Sequence, residues 1–379
     1  MSLRADGLLL GLVGLVGGCS FQSAGTAGDA AKLDGKIVDA GSDAPVVDAP
    51  RLAWWDPAFG FRRQITITAG ASEVPLGASM VFVIDTAPLR AMDKVRLDAH
   101  DWRVVRQVPG QAAVELDRWV DDGEGAWNSD KTLTWFNPKT MVEAGLSDGN
   151  TWIYYGHATV ATKAPAALDQ VFVYGQTFDA GAADWQNNGI NGEAIATKTS
   201  NQRAGAGYLE IKPGNNGNCG GIHRDLALPN VALLFSHYLK QDSSNASFGS
   251  VRTFSGIFSE RTQPLTWFDS RLVGFVELDS GDRMQLNHRG GTTNWFMPFG
   301  PNWRRLEVVH DLPRHKLKAR IDGGTWTTEV DTRGADNATI QSLALEGESQ
   351  AGTFGVDNFI IRRYVAIEPT VTVGMEQTR

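Results

Sequence analysis

Short runs of alternating apolar and polar residues, cut by glycine, proline, asparagine and aspartate, recur along most of this chain. Phe61 to Thr68, Met80 to Ile84, Gly207 to Ile211 and Leu317 to Ile321 are examples. Side chains alternate between the two faces of a strand, so each such run turns one apolar face toward a core. Few stretches are long enough and amphipathic enough to read as helices, and the fold class expected is all-β. Composition agrees where it can decide: the 42 glycines suit many tight turns, and the 12 tryptophans and 17 phenylalanines suit strands. The 379 residues allow two or three domains of ordinary size, and hydrophobic residues at 42% are enough to give them cores. A net charge of −8 argues against nucleic acid as a partner, because that binding needs clustered lysine and arginine to displace counterions.

The first residues are of another kind. Arg4 is followed by an apolar run, Leu8 to Val16, too short to span a bilayer, and then by Gly17 and Gly18. These are the three parts of an export signal. The segment resembles a bacterial lipoprotein signal, whose end is matched by Leu15-Val16-Gly17-Gly18-Cys19. The resemblance implies a signal peptide over 1–18, a mature chain starting at a lipid-bearing Cys19, and the membrane as a partner through that lipid. Two or more acyl chains anchor a protein stably. Ser20, where an aspartate favours inner-membrane retention, resembles the outer-membrane class, so the expected location is the outer membrane or cell surface.

Residues 19–51 are rich in alanine, glycine, aspartate and serine, with Asp29, Asp34, Asp39, Asp43 and Asp48 spaced along them. Such a segment cannot offset its ordering entropy and reads as a disordered tether. Thirty residues reach roughly 100 Å when extended. With Cys19 lipidated, Cys219 has no intrachain partner and reads as a turn or packing residue. The seven histidines show no metal-ligand spacing: there is no HExxH, and His310 and His315 are five apart.

Residues 52–163 read as a first β-sandwich, with strands expected at Phe61 to Thr68, Met80 to Ile84, Val95 to Leu97, Trp102 to Val105, Ala113 to Val120, Lys131 to Phe136 and Thr151 to Tyr155. Gly145-Leu146-Ser147-Asp148-Gly149 fits GxSxG, but a nucleophile elbow follows a strand and opens a helix, whereas this one precedes a strand. The acidic loop Asp121-Asp122-Gly123-Glu124-Gly125 has the chemistry to hold a cation, but reads as a solvated turn. Trp55 with Phe61 to Ile67, Lys94 to Leu97, Leu116 to Val120, Leu133-Thr134-Trp135 and Trp152 to Gly156 together resemble an extracytoplasmic domain family of unknown function. That family is commonly joined to concanavalin-like modules.

Residues 168–379 carry further short strands, from Gly207 to Ile211 through Phe354 to Ile361, with Val371-Thr372-Val373 closing the chain. The Phe178-Asp179…Trp185 opening, the pair Trp303 to Val309 and Leu317 to Gly323, and Val356-Asp357-Asn358-Phe359 resemble the concanavalin-like lectin and glucanase jelly roll. Such domains often place oxygen ligands where first and last strands meet, which makes Asp179 and Asp357 candidates for a structural calcium site. Glucanases of this fold use carboxylates on one strand face. Glu277 and Asp279 supply two, but Ser280-Gly281-Asp282 follow where the third is needed, so the segment reads as a charged strand end and turn. Lectins stack sugars on aromatics beside polar groups, for which Trp267, Asp269, Asn294, Trp295 and Trp326 are the candidates. The leading expectation is a non-enzymatic envelope lipoprotein that binds glycan or another surface component. A glycoside hydrolase, or a degenerate relative of one, and a structural envelope protein remain open beside it.

Overall fold

The computed structural model describes residues 52–123, 125–187, 193–212, 220–241, 253–258, 272–279, 283–288, 291–296, 302–332, 342–347 and 353–379. For 253–258, 272–279, 291–296 and all of 283–288 except Leu286 it describes the backbone alone. The expected signal peptide, Cys19, the tether, Cys219, Trp267 and Asp269 lie outside these residues. So do the side chains of Glu277, Asp279, Asn294 and Trp295.

The chain is all-β. Its strands run β1 Phe61–Thr68, β2 Met80–Ile84, β3 Arg103–Arg106, β4 Val114–Leu116, β5 Arg118–Val120, β6 Thr132–Phe136 and β7 Ser147–Tyr155. A second set follows: β8 Tyr174–Gln176, β9 Gln186–Asn187, β10 Ala194–Lys198, β11 Tyr208–Lys212, β12 Gly220–Asp225, β13 Ala232–Gln241, β14 Thr253–Phe258 and β15 Leu272–Asp279. It continues with β16 Arg283–His288, β17 Gly291–Phe296, β18 Arg304–Asp311, β19 Lys316–Ile321, β20 Val330–Asp331, β21 Ser342–Gly347 and β22 Phe354–Arg363. Two short strands end the chain, β23 Thr370–Val373 and β24 Gln377–Thr378, and the only helices among the described residues are α1 Ala87–Ala91 and α2 Leu168–Val171.

The first sandwich packs a six-stranded sheet, ordered β23-β1-β7-β3-β4 with β24 beside β1, on a three-stranded sheet ordered β2-β6-β5. Its core takes the inward residues of both, among them Ile65, Ile67, Phe82, Trp102, Val104, Phe136, Ile153 and Tyr155. The outer face of the larger sheet is covered by the segment before β1. There the Arg62 guanidinium lies 4.9 Å from the Trp54 ring and 4.4 Å from the Trp152 ring, and donates to the Tyr154 hydroxyl at 3.1 Å.

Three details differ from expectation. Val95 to Leu97 forms a loop, not a strand, because local polar contacts take its backbone: the Arg96 N–H donates to Asp101. Ala113 to Val120 breaks at Asp117, so β4 joins the six-stranded sheet and β5 the three-stranded one. Third, Val371 to Val373 does not close the second sandwich. It pairs with β1, in the register Ile65↔Val373 and Ile67↔Val371, covering an otherwise unpaired edge and adding Val371 and Val373 to the first core.

The second sandwich is a jelly roll of an eight-stranded sheet, β10-β11-β22-β13-β18-β19-β20 with β8 beside β22, and a seven-stranded sheet, β17-β16-β15-β14-β21-β12-β9. Phe178, Trp185, Leu233, Phe235, Leu306, Val308, Leu317, Phe354 and Phe359 fill the space between them. Two histidines share that interior. His237 stacks on Phe359 and His310 meets the Phe235 ring edge-on, and burial pushes both imidazoles down to about 3.

The segment joining the sandwiches is pinned to the first. The Trp119 and Trp135 rings both sit 5.7 Å from that of Phe172, and the Ser79 hydroxyl donates to the Val171 carbonyl at 2.6 Å.

Candidate functional site

Two places in the second sandwich collect the expected site residues. The first lies at its junction with the first sandwich. β8 and β22 are antiparallel neighbours, paired Gln176↔Phe359 and Tyr174↔Ile361. Asp179 therefore lies in the turn just beyond β8, and Asp357 within β22. The register between β13 and β22 slips here: Ser236 opposes Ile360 while Tyr238 opposes Asp357. The extra residue is a β-bulge, with Asn358 at φ +46°, a left-handed conformation that asparagine tolerates better than most residues. The bulge lets Asp357 and Asn358 serve one site, although consecutive residues of a regular strand face opposite ways.

Both aspartates accept backbone hydrogen bonds. Asp357 takes one from the Asn358 N–H at 2.9 Å and one from Ala204 at 3.2 Å; Asp179 takes them from Ala206 and Gly207. A third carboxylate arrives from the first sandwich. Asp122, in the acidic loop between β5 and β6, accepts the Asn358 side-chain N–H at 3.3 Å. The loop is thus not the solvated turn expected: Asp122 is half-buried on the second sandwich. Gly205, at φ +57°, sits between the carboxylates. A Cβ there would lie 2.7 Å from Asp122 Oδ2 and 2.8 Å from Asp179 Oδ2. Burial, with repulsion from Asp122 and Asp179, raises the Asp357 carboxyl to about 7, and burial with repulsion from Asp179 raises that of Asp122. Among the described residues no three His, Cys, Asp or Glu side chains converge closely enough to hold a metal ion as they stand.

The second place is the outer face of the eight-stranded sheet, around Trp326. Thr327 runs along β19, its N–H donating to the Ala319 carbonyl at 2.9 Å, which presents Trp326 beside Lys318 and Arg320. The half-exposed Trp326 ring has the Arg320 guanidinium 4.3 Å and the Lys318 ammonium 5.3 Å from its centre, with Tyr364 edge-on at 6.4 Å. Next to it is a cavity of about 200 Å³, floored by Ala232, Val309 and Leu317 and rimmed by Asp311, Arg314, Lys318, Glu329 and Tyr364. Arg314 pairs with both rim carboxylates, at 3.2 Å to Asp311 and 2.7 Å to Glu329. On the same face, Glu307, 1% exposed, is held beneath Arg305 at 3.2 Å and Arg320 at 2.7 Å.

A larger cavity, about 520 Å³, opens on the first sandwich beside Phe61, Arg96 and Asp98. Its polar groups are already paired with one another: Arg96 donates to Asp98 through two atoms, at 2.9 and 2.6 Å. The GxSxG motif builds no elbow. Ser147 opens β7, exposed, with its hydroxyl 2.8 Å from that of Thr68.

Of the residues expected in a site, Asp179 and Asp357 are thus brought together, and Trp326 stands apart from them. Sequence reasoning missed Asn358, Lys318, Arg320 and Tyr364, and weighed the Asp122 loop without placing it beside Asn358. Asn358 follows Asp357 directly in the sequence, but only the bulge makes that adjacency a shared site.

No protein family matches the sequence, and no curated protein does. Solved structures give low similarity. The T. cruzi calreticulin globular domain is 6% identical over 51% of this chain and 89% of that chain, with a TM-score of 0.37. An endo-beta-1,4-glucuronan lyase from the fungus Trichoderma reesei is 10% identical over 52% of this chain and 98% of that chain, at 0.38. The alginate lyase vAL-1 from Chlorella virus is 10% identical over 51% of this chain and 100% of that chain, at 0.37.

Proposed function

We propose that this chain is a non-enzymatic lipoprotein of the cell envelope, anchored through Cys19, whose jelly roll binds glycan at the face around Trp326. The observation that carries the reading is the half-exposed Trp326 ring beside Tyr364, with cations along it and a 200 Å³ cavity adjoining. An aromatic ring offers a sugar its apolar face, and polar groups at the edge fix orientation. Lys318, whose ammonium lies 5.3 Å from the Trp326 ring and 5.0 Å from the Tyr364 ring, favours a glycan that carries acidic groups. The pairing of Asp311 and Glu329 with Arg314 suits positioning rather than proton transfer.

Binding of the full chain to an array that includes uronate-containing glycans tests this. Trp326→Ala should weaken binding at least about tenfold, as expected for an aromatic anchor. Binding that is unchanged by this substitution would move the site elsewhere, and no binding to any glycan would remove the reading. The anchor has its own test: mass spectrometry of the membrane fraction should find an acylated N-terminal cysteine, and Cys19→Ala should release the protein.

A further inference from the structure

We infer that residues 370–379 are a force-bearing clasp: tension that enters the chain ahead of Leu52 and leaves through the jelly roll crosses the ladder between β1 and β23 in shear. The anchor and glycan readings supply a source of such tension, but the geometry and its test depend on neither.

The first sandwich is built from two separate stretches of chain. The jelly roll is inserted between β7 and β23, so two connections join it to the first sandwich. They meet β1 at opposite ends. One leaves β7 at Tyr155, whose partner is Phe61, the first residue of β1. The other enters β23 at Thr370, whose partner is Thr68, the last residue of β1. Tension from the segment ahead of β1 arrives at the Phe61 end, where the Arg62 guanidinium donates to the Leu52 and Ala53 carbonyls at 3.0 and 3.3 Å. Inter-strand hydrogen bonds of an antiparallel ladder lie across the strands. Pulled from Phe61 and Tyr155, the β1–β7 ladder opens from one end, a pair at a time. Pulled from Phe61 and Thr370, the β1–β23 ladder is drawn along its length, and its bonds bear the tension together.

A strand of four residues carries few ladder bonds and needs a hold at its far end if it is not to slide. The residues beyond β23 supply that hold. Glu376 accepts the Lys94 ammonium at 2.5 Å and the Tyr155 hydroxyl at 2.6 Å, with the Arg63 guanidinium 3.6 Å away. Gln377 accepts the Arg62 Nε–H at 2.8 Å, and the Arg379 N–H donates to the Gly60 carbonyl at 3.2 Å. Hydrogen bonds to charged groups are the stronger kind. Tension drawn through Thr370 must drag all of them along the sheet. Arg62, 4% exposed, bonds both the segment at Leu52 and the clasp at Gln377, so the entering load and the strand that resists it share one buried side chain.

The test is single-molecule force spectroscopy on the full chain, produced without export and carrying Cys219→Ser. Cys19 takes one handle. The second is placed either at Ala366→Cys, an exposed position just ahead of β23, or on a cysteine appended after Arg379. From Ala366 the pull shears the clasp. From Arg379 it peels it, because Gln377 and Thr378 oppose Arg62 and Phe61 at the loaded end. The first rupture should therefore need a higher force from Ala366 than from Arg379. Two substitutions weaken the clasp. The Gly374 N–H donates to the Gln64 carbonyl at 2.8 Å, and bonded pairs recur at every second residue, so Thr372 with Thr66 is the next, and Thr372→Pro removes its donor. Glu376→Gln loosens the far end. At constant force from Ala366, each should shorten the lifetime at least roughly tenfold. Equal rupture forces in the two geometries overturn the clasp, and so does a lifetime from Ala366 that neither substitution shortens. Glu376→Gln alone carries the second comparison if Thr372→Pro does not fold.

Discussion

Two aspartate-rich corners of this molecule look alike in the sequence and are opposites in the structure. At the first, in the first sandwich, Asp101 accepts the Arg96 and Gly156 backbone N–H groups, each at 3.0 Å, while Asp98 is gripped by the Arg96 guanidinium. Charge is matched where it lies. At the second, Asp122 and Asp179 flank Gly205, and both repel the charge on Asp357. The first corner is complete as a piece of architecture. The second sets like charges side by side. Inside the second sandwich, both ring nitrogens of His237 and Nδ1 of His310 have no partner.

The largest effect should come from breaking the matched corner. Asp101 is 1% exposed, and Asp101→Ala leaves two backbone N–H groups without acceptors. A loss of about 2–4 kcal/mol is expected in chemical denaturation. A loss near zero would mean that water satisfies this corner and that the contrast between the two is false.

The unmatched interior should show itself through pH. Burial holds the His310 imidazole at about 3, while an unfolded histidine titrates near 6.5. Below that value the unfolded chain takes up a proton that the folded chain refuses, so stability falls as pH drops from about 6.5 toward about 3. The loss amounts to roughly 2–3 kcal/mol per histidine by about pH 4.5. His310→Leu should remove its share, flattening the fall in denaturation midpoint between neutral and acid pH. Equal slopes for variant and wild type would show that His310 is not held neutral by burial.

How much of this is legible in the sequence follows the range of the interaction involved. Strands such as β1 and β19 are legible because alternation is local. Val95 to Leu97 alternates as well, but Asp101, a few residues on, claims its backbone, and a pattern of apolarity carries no sign of that. The destination of Val371 to Val373 is hidden because a strand's sequence states that it has an apolar face, not which edge lacks a partner. Asp179 and Asp357 can be paired because the first and last strands of a jelly roll adjoin. Asp122 cannot, since its role depends on how one sandwich sits on the other. Trp326 is legible as an aromatic near a turn, but its cations come from β19 and its neighbour Tyr364 from beyond β22.

A smaller effect belongs to the crowded carboxylates. Asp122→Asn should leave stability unchanged or raise it by up to about 1 kcal/mol in chemical denaturation, because a like charge is removed from a half-buried cluster. A clear loss would mean that Asp122 contributes chiefly through its hydrogen bond to Asn358.

The smallest effect belongs to a pair that is in close contact but exposed. Asp98 meets Arg96 with two short hydrogen bonds, and this guanidinium holds its carboxyl well below the usual carboxylate range. Both side chains nevertheless reach solvent, where water screens the attraction and would solvate either group well. Asp98→Ala should therefore leave the denaturation midpoint unmoved at physiological salt, with any difference confined to low ionic strength, where screening relaxes. The bond from the Arg96 backbone N–H to the buried Asp101 is what holds this stretch of loop in place. A loss from Asp98→Ala as large as that from Asp101→Ala would invert this ranking and make the exposed pair the keystone of the corner.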